Sequence, residues 1–187
     1  MSGELRYITL YSALGWVGIL ASAKGLLSIT LPRRSAREAQ EQLGTKANEA
    51  VRSPHHFTDL VARLKTYFSG GRATFPDELD LSGATPFQIK VWAITRVIPY
   101  GETRNYRWLA EQIGQPEAAR AVGQALARNP LPIIIPCHRV VGSDSKLGGF
   151  SGGLEMKRRL LRLEHATIFS RTIYDCQGSP ESGSFAR

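Results

Sequence analysis

The period of apolar positions changes several times along the chain, and each change marks an element. Residues 5–11 alternate and are rich in strand formers, 14–15 form a turn, and 16–22 make a second apolar run. Lys24-Gly25 turns again and 26–31 form a third run closed by Pro32, so the first 31 residues predict a three-stranded antiparallel meander. Residues 33–52 are polar and rich in Ala, Glu and Gln, which predicts a surface helix. After Ser53-Pro54, the spacing of Phe57, Leu60, Val61, Leu64, Tyr67 and Phe68 predicts an amphipathic helix over 54–68, stopped by Gly70-Gly71. Residues 72–85 read as a connecting strand and linker, with a domain boundary at 83–85.

The second half is more sharply punctuated. Thr85 caps and Pro86 opens a helix that buries Phe87, Val91, Trp92 and Ile94 and closes at 97–101. Thr103 or Asn105 caps a short helix to about 113. Gly114-Gln115 turns, and Pro116 opens a second helix to about Arg128, giving a helix-turn-helix pattern. Residues 133–141 read I-I-I-P-C-H-R-V-V, an apolar run expected to be buried strand or strand-like backbone interrupted by Pro136. Residues 142–153 form a loop with five glycines. Residues 154–165 form a basic amphipathic helix with Leu160, Leu161 and Leu163 facing inward. Periodicity is lost after about 168, and 177–187 have the composition of a disordered tail.

The expected class is therefore α/β (α+β). A small N-terminal unit (1–84), a three-stranded antiparallel sheet with helices, precedes a mainly helical, winged-helix-like unit with a helix-turn-helix (85–168) and a tail (169–187). The 187 residues suffice for one or two domains with a real core. No run is apolar and long enough to span a bilayer. Ala21-Ser22-Ala23 resembles a signal-peptide cleavage site, but the charged segment before it is thin and the stretch parses as strands. Two cysteines, Cys137 and Cys176, make neither a disulfide framework nor, with four histidines, a zinc pattern, so no metal and a reducing, cytoplasmic setting are expected. The net charge of +8 is uneven: residues 86–166 carry 12 Lys/Arg against 6 Asp/Glu, while 1–85 carry 10 against 8. Such a local excess suits either a polyanion partner or a solvated basic face.

Cys137, His138 and Arg139 place a thiol, an imidazole and a guanidinium together where buried backbone stops being regular. A nearby base or cation can turn a thiol into a nucleophile. On extended backbone adjacent side chains diverge, so His138 would act through a bridging water or a turn at Pro136. The competing reading is a buried structural cysteine beside a surface His-Arg pair. The helix over 116–128 is built of Ala and Gly with Arg120 and Arg128 projecting, thin enough to lie deep in a nucleic-acid groove or, alternatively, to pack tightly in a core. Glu164 is a candidate carboxylate partner for His138.

These residues in order resemble the O6-alkylguanine-DNA alkyltransferases. The matching positions are Phe87-Gln88, Val91-Trp92, Ile98-Pro-Tyr-Gly-Glu-Thr103, Tyr106, Leu109-Ala110, Ala119-Arg-Ala-Val-Gly123, Asn129-Pro130, Ile135-Pro-Cys-His-Arg-Val140, Ser151-Gly-Gly153, Lys157, Leu160-Leu161 and Glu164. The resemblance spans about 86 to 164, and the N-terminal half fits only loosely. It implies that Cys137 takes an alkyl group irreversibly from O6-alkylguanine in duplex DNA, with O4-alkylthymine as a second candidate substrate. His138 would act through water with Glu164 orienting it, Asn129 would hold the turn before the cysteine, and Tyr106 would rotate the nucleotide and hydrogen-bond the base. Arg120, with Ala119, Ala121, Gly123, Arg128 and Thr103, would contact DNA, Arg120 entering the base stack. Backbone groups of Cys137, Val140 and Ser151 would read the base, Phe150 and Trp92 would border its pocket, and Lys157 would add positive potential. Phe150 stands where many relatives carry Tyr, and the cysteines with which some relatives bind zinc in the N-terminal unit are absent. No cofactor is implied, the partner is duplex DNA, and a monomer with or without cooperative binding is expected. Two other classes use part of the same pattern: a DNA-binding module without chemistry, which leaves Pro-Cys-His-Arg idle, and a thiol hydrolase, which leaves the helix-turn-helix unexplained.

Overall fold

A computed structural model describes residues 4–142 and 146–165. The expected tail, Cys176 and the centre of the glycine loop lie outside the described residues. Strands β1 (Arg6–Ser12), β2 (Gly15–Ser22) and β3 (Gly25–Ile29) form the expected antiparallel meander, in register from Arg6↔Ala21 to Ser12↔Gly15. The sheet has a fourth member. Residues 33–52 are not one helix but α1 (Ala36–Glu41), a 3-10 turn and the short strand β4 (Val51–Arg52), which pairs parallel with β1 to give the order β3-β2-β1-β4. The Ser35 side chain caps α1, and Gly44 at φ +85 turns the chain away from it, so the helix ends after six residues.

Helix α2 (Thr58–Phe68) follows a 3-10 turn that begins at Pro54, and it buries Leu60, Leu64, Tyr67 and Phe68. Helix α3 (Pro86–Arg96) opens with a capping box in which the Thr85 hydroxyl accepts from Gln88 N–H and the Gln88 side chain accepts from Thr85 N–H. Strand β5 (Arg104–Asn105), helix α4 (Tyr106–Gln112, capped by Asn105), a turn at Gly114, a 3-10 turn from Pro116 and helix α5 (Ala119–Ala127) form the helix-turn-helix. Strand β6 (Val140–Val141) pairs parallel with β5, and α6 (Leu154–Leu163) closes the described fold. One cluster of buried side chains runs through both halves, from Ile8, Val17 and Leu64 to Val91, Leu109, Val122 and Leu160. Among the described residues no helix is long and apolar enough to cross a membrane.

Of the run 133–141 only Val140–Val141 is strand. Ile133 has φ +76, unusual for a β-branched residue, and Ile135 N–H bonds back to Leu131 carbonyl at 2.8 Å. Pro136, at φ −78 and ψ 63, forms an inverse γ-turn closed by Cys137 N–H to Ile135 carbonyl at 2.7 Å. Cys137–Arg139 then make one 3-10 turn before β6. Two prolines and the Asn129 side chain override the β propensity of the isoleucines.

Candidate active site

Cys137 is 4% exposed and sits at the floor of a cavity of about 760 Å³ between α5 and the loop before α6. The fixed backbone around it is organised by Asn129, which follows α5. Its amide oxygen accepts from Leu131 N–H at 2.9 Å, and its amide nitrogen donates to Ile135 carbonyl at 2.8 Å and to Cys137 Sγ at 3.1 Å. Burial pushes the Cys137 thiol above its ordinary value, although Asn129 and then Lys157 pull the other way. The resting group is therefore a thiol, and a reaction at sulfur needs a base to take its proton.

The neighbouring turn residue carries an imidazole. His138 is fully buried, and burial holds it below the ordinary histidine value despite the opposing pull of Glu164, so it is neutral at neutral pH. Its Nε2 lies 2.7 Å from Glu164 Oε1, while its Nδ1 is buried with no hydrogen-bond partner among the described residues. A carboxylate at Nε2 fixes the tautomer with the proton there and leaves Nδ1 free to accept.

Glu164 caps α6 and is 2% exposed. Burial raises its carboxyl, but hydrogen bonds and charge from His138 and then Arg139 outweigh that and hold it well below the usual carboxylate range. Arg139 Nε and a terminal nitrogen donate to the two Glu164 oxygens at 2.9 and 3.0 Å, and its other terminal nitrogen donates to Ile98 carbonyl at 2.6 Å. Arg139, in the sequence a candidate cation beside the thiol, is directed at the carboxylate instead.

The cavity brings together Cys137, Tyr106, Ala119, Arg120, Gly123, Phe150 and Ser151 from the sequence reading, and adds Gln124, Leu126, Ala127 and Gly149. Tyr106 donates to Gly149 carbonyl at 3.3 Å, and its hydroxyl pKa is raised by burial and then by Cys137. Arg120 and Ala121 are exposed on α5 and Arg128 is exposed at its C-cap, while Thr103 is half-buried ahead of β5. Trp92 does not border the cavity: it is 3% exposed and its indole N–H donates to Ala125 carbonyl at 3.0 Å, tying α3 to α5. Val140 is also core, with its carbonyl accepting from Lys157 Nζ at 2.6 Å. Lys157 is fully buried and reaches the carbonyls of Val140, Leu147 and Gly149, so it anchors the loop rather than lining the cavity.

Tyr67 was invisible to motif reading. It fits the apolar face of α2 by spacing, yet its hydroxyl donates to Glu164 Oε1 at 2.6 Å and lies 3.2 Å from His138 Nε2. A tyrosine in place of phenylalanine on a buried face was the one available signal, because a buried hydroxyl needs a partner. Among the described residues no group of three or more His, Cys, Asp or Glu side chains is placed to hold a metal ion.

The arrangement resembles known proteins along most of its length. The family model described as 6-O-methylguanine DNA methyltransferase, DNA binding domain, matches residues 86–166. A Mycobacterium leprae protein named methylated-DNA–protein-cysteine methyltransferase is 52% identical over 120 residues, 64% of this chain and 72% of its own length. A crystal structure of Mycobacterium tuberculosis OGT in complex with DNA superposes with TM-score 0.73 at 38% identity, covering 88% of this chain and 98% of that one. The O6-methylguanine-DNA methyltransferase of Pyrococcus kodakaraensis superposes with TM-score 0.62 at 29% identity, covering 86% and 98%.

Proposed function

The chain belongs to the methylated-DNA–protein-cysteine methyltransferase family, whose activity is direct-reversal repair by alkyl transfer to a cysteine, and from that premise we propose how its own residues perform the transfer. The observation that carries the reading is a buried Cys137 lining a mostly apolar cavity, followed in the chain by a buried His138 whose Nε2 lies 2.7 Å from Glu164 Oε1 and whose Nδ1 has no hydrogen-bond partner among the described residues.

An alkylated guanine within a duplex is out of reach of a buried thiol, so the nucleotide swings out into the cavity, and a weakened pair opens at lower cost. Arg120, on the exposed side of α5 and at the cavity, enters the space the base leaves. Ala119, Ala121 and Gly123 let α5 approach the groove closely, and Arg128 and Thr103 contact the backbone around it. Phe150 and Ser151 close on the flipped base, with Lys157 fixing their loop.

The thiol proton passes through a water to His138 Nδ1, and Glu164 stabilises the imidazolium that results. Sγ attacks the alkyl carbon, the S–C bond forms as the C–O6 bond breaks, and the electron pair left on oxygen spreads into the guanine ring. Tyr106 donates a hydrogen bond to the base as this charge develops. A proton returns to the guanine, and the products are unmodified guanine in DNA and a thioether on Cys137. Thioethers are stable, so each molecule acts once. The protein acts as a cytoplasmic monomer without a cofactor.

Intact-protein mass spectrometry after incubation with a duplex carrying one O6-methylguanine tests this reading. A gain of one methyl mass on Cys137, absent in Cys137→Ser, is expected. Tight binding with unchanged mass would leave a lesion-binding module instead.

A further inference from the structure

Cys137, His138 and Glu164 all come from residues 137–164, yet the carboxylate also takes a hydrogen bond from the N-terminal half. We propose that Tyr67 is a positioning residue for alkyl transfer, locking Glu164 and His138 into the form in which Nε2 carries the proton and Nδ1 is left free to accept one. This rests on the transferase reading.

The geometry is a closed triangle. Tyr67 O–H donates to Glu164 Oε1 at 2.6 Å, His138 Nε2 lies 2.7 Å from the same oxygen, and the Tyr67 oxygen lies 3.2 Å from Nε2. All three side chains are buried, Tyr67 fully, so water does not compete for these bonds. With its proton on Glu164, the phenol oxygen offers a lone pair to Nε2–H and shares it with the carboxylate. The opposite tautomer would set the bare Nε2 against a carboxylate oxygen, which is repulsive.

The other donors do not duplicate this role. Arg139 grips both Glu164 oxygens and Gly101 N–H reaches Oε2 at 3.2 Å, whereas the Tyr67 oxygen lies within 3.2 Å of both Glu164 Oε1 and His138 Nε2. Tyr100, the other phenol nearby, directs its hydroxyl at the carbonyls of Gly70 and Leu163. The charged and titratable groups facing the pair are therefore Tyr67 from α2, Tyr100 from the turn after α3, Arg139 from the Cys137 turn and Lys157 from α6.

A second consequence concerns the proton itself. A short hydrogen bond from a neutral phenol makes the carboxylate less basic. The proton that His138 receives during transfer then stays on the imidazole and is available for return. Removing the hydroxyl concentrates charge on Oε1, raises the basicity of His138 and loosens the ring. The acid limb of the pH–rate profile should move to higher pH while the maximal rate falls.

The test uses single-turnover transfer from O6-methylguanine duplex across pH, for wild type, Tyr67→Phe and Leu64→Ala, normalised to folded protein. Leu64 is fully buried on the same helix and its apolar side chain cannot hydrogen-bond Glu164, so it controls for packing loss. Tyr67→Phe is expected to slow transfer about 10-fold, the low end of the loss known for removing the hydrogen-bond partner of a metal-bound histidine. Its acid limb should move upward with unchanged DNA affinity. Leu64→Ala should lower Tm and leave the profile in place. A Tyr67→Phe profile superimposable on wild type would overturn the proposal. Should Tyr67→Phe not fold, 15N spectra of histidine-labelled wild type decide: His138 protonated at Nδ1 rather than Nε2 at neutral pH would equally overturn it. No transfer by wild type would refute the transferase reading itself.

Discussion

The amide nitrogen of Asn129 lies 3.1 Å from Cys137 Sγ while also donating to Ile135 carbonyl, so one side chain sets both the backbone turn and the environment of the sulfur. Asn129→Ala takes the side-chain acceptor from Leu131 N–H and one of the two donors from Ile135 carbonyl, which keeps Cys137 N–H, and costs about 2 kcal/mol. It also removes a donor that favours the thiolate. The urea midpoint should fall and alkylation of Cys137 by iodoacetamide at pH 8 should slow. An unchanged midpoint would refute the anchoring role.

The buried imidazole makes stability depend on pH. The folded state holds His138 neutral below the ordinary value, so in mildly acidic solution the unfolded chain binds the extra proton. Stability from this group is complete above about pH 6.5 and is lost as pH falls from there toward the folded value. Glu164, held below the carboxylate range, loses its contribution in a separate, lower window, below about pH 4.3. Urea unfolding of wild type and His138→Asn between pH 7.5 and 5 checks the first window. The wild type should show the steeper loss, by at most about 1.4 kcal/mol per pH unit for one proton. Parallel curves would contradict it.

Gly148 controls Tyr106. It has φ +65, and a Cβ there would lie 2.9 Å from the Tyr106 hydroxyl oxygen. Gly148→Ala therefore strains the backbone by about 1–2 kcal/mol and displaces the phenol. Transfer should slow at least about 10-fold, short of the 10²–10³ loss typical of deleting one donor to a developing anion. DNA affinity should hold. Wild-type rates in Gly148→Ala would show that the phenol's position is unimportant.

Lys157 is an internal anchor. Burial lowers its ammonium to about 8, yet three carbonyls surround Nζ. Lys157→Met keeps the length of the side chain and leaves Val140, Leu147 and Gly149 without its protons, costing about 1–3 kcal/mol. Faster amide exchange across 146–153 and slower transfer are expected. Exchange matching wild type would place the anchor elsewhere.

Much of this protein follows from local sequence. The Thr85 capping box, the meander, the amphipathic faces of α2 and α6 and the helix-turn-helix depend on side chains within a few residues of one another, which periodicity and capping rules capture. Cys137 and His138 stood out as candidate reacting groups in an apolar run, with a buried structural cysteine as the alternative until the flanking residues were matched. The fourth strand escaped because β4 is two residues long and exists only by pairing with β1; a turn at Pro136 was one of the alternatives for 133–141, but the irregular backbone of the isoleucines before it escaped because Asn129 and the prolines outweigh their β propensity. Tertiary structure alone decided the environment of the site. Tyr67 and Glu164 stand 97 residues apart and Arg139 and Glu164 25 apart, and Trp92 and Lys157 turned out to serve the core and the loop rather than the cavity. A sequence names the groups that can react, but their protonation depends on burial and on partners that only the folded chain brings within 3 Å.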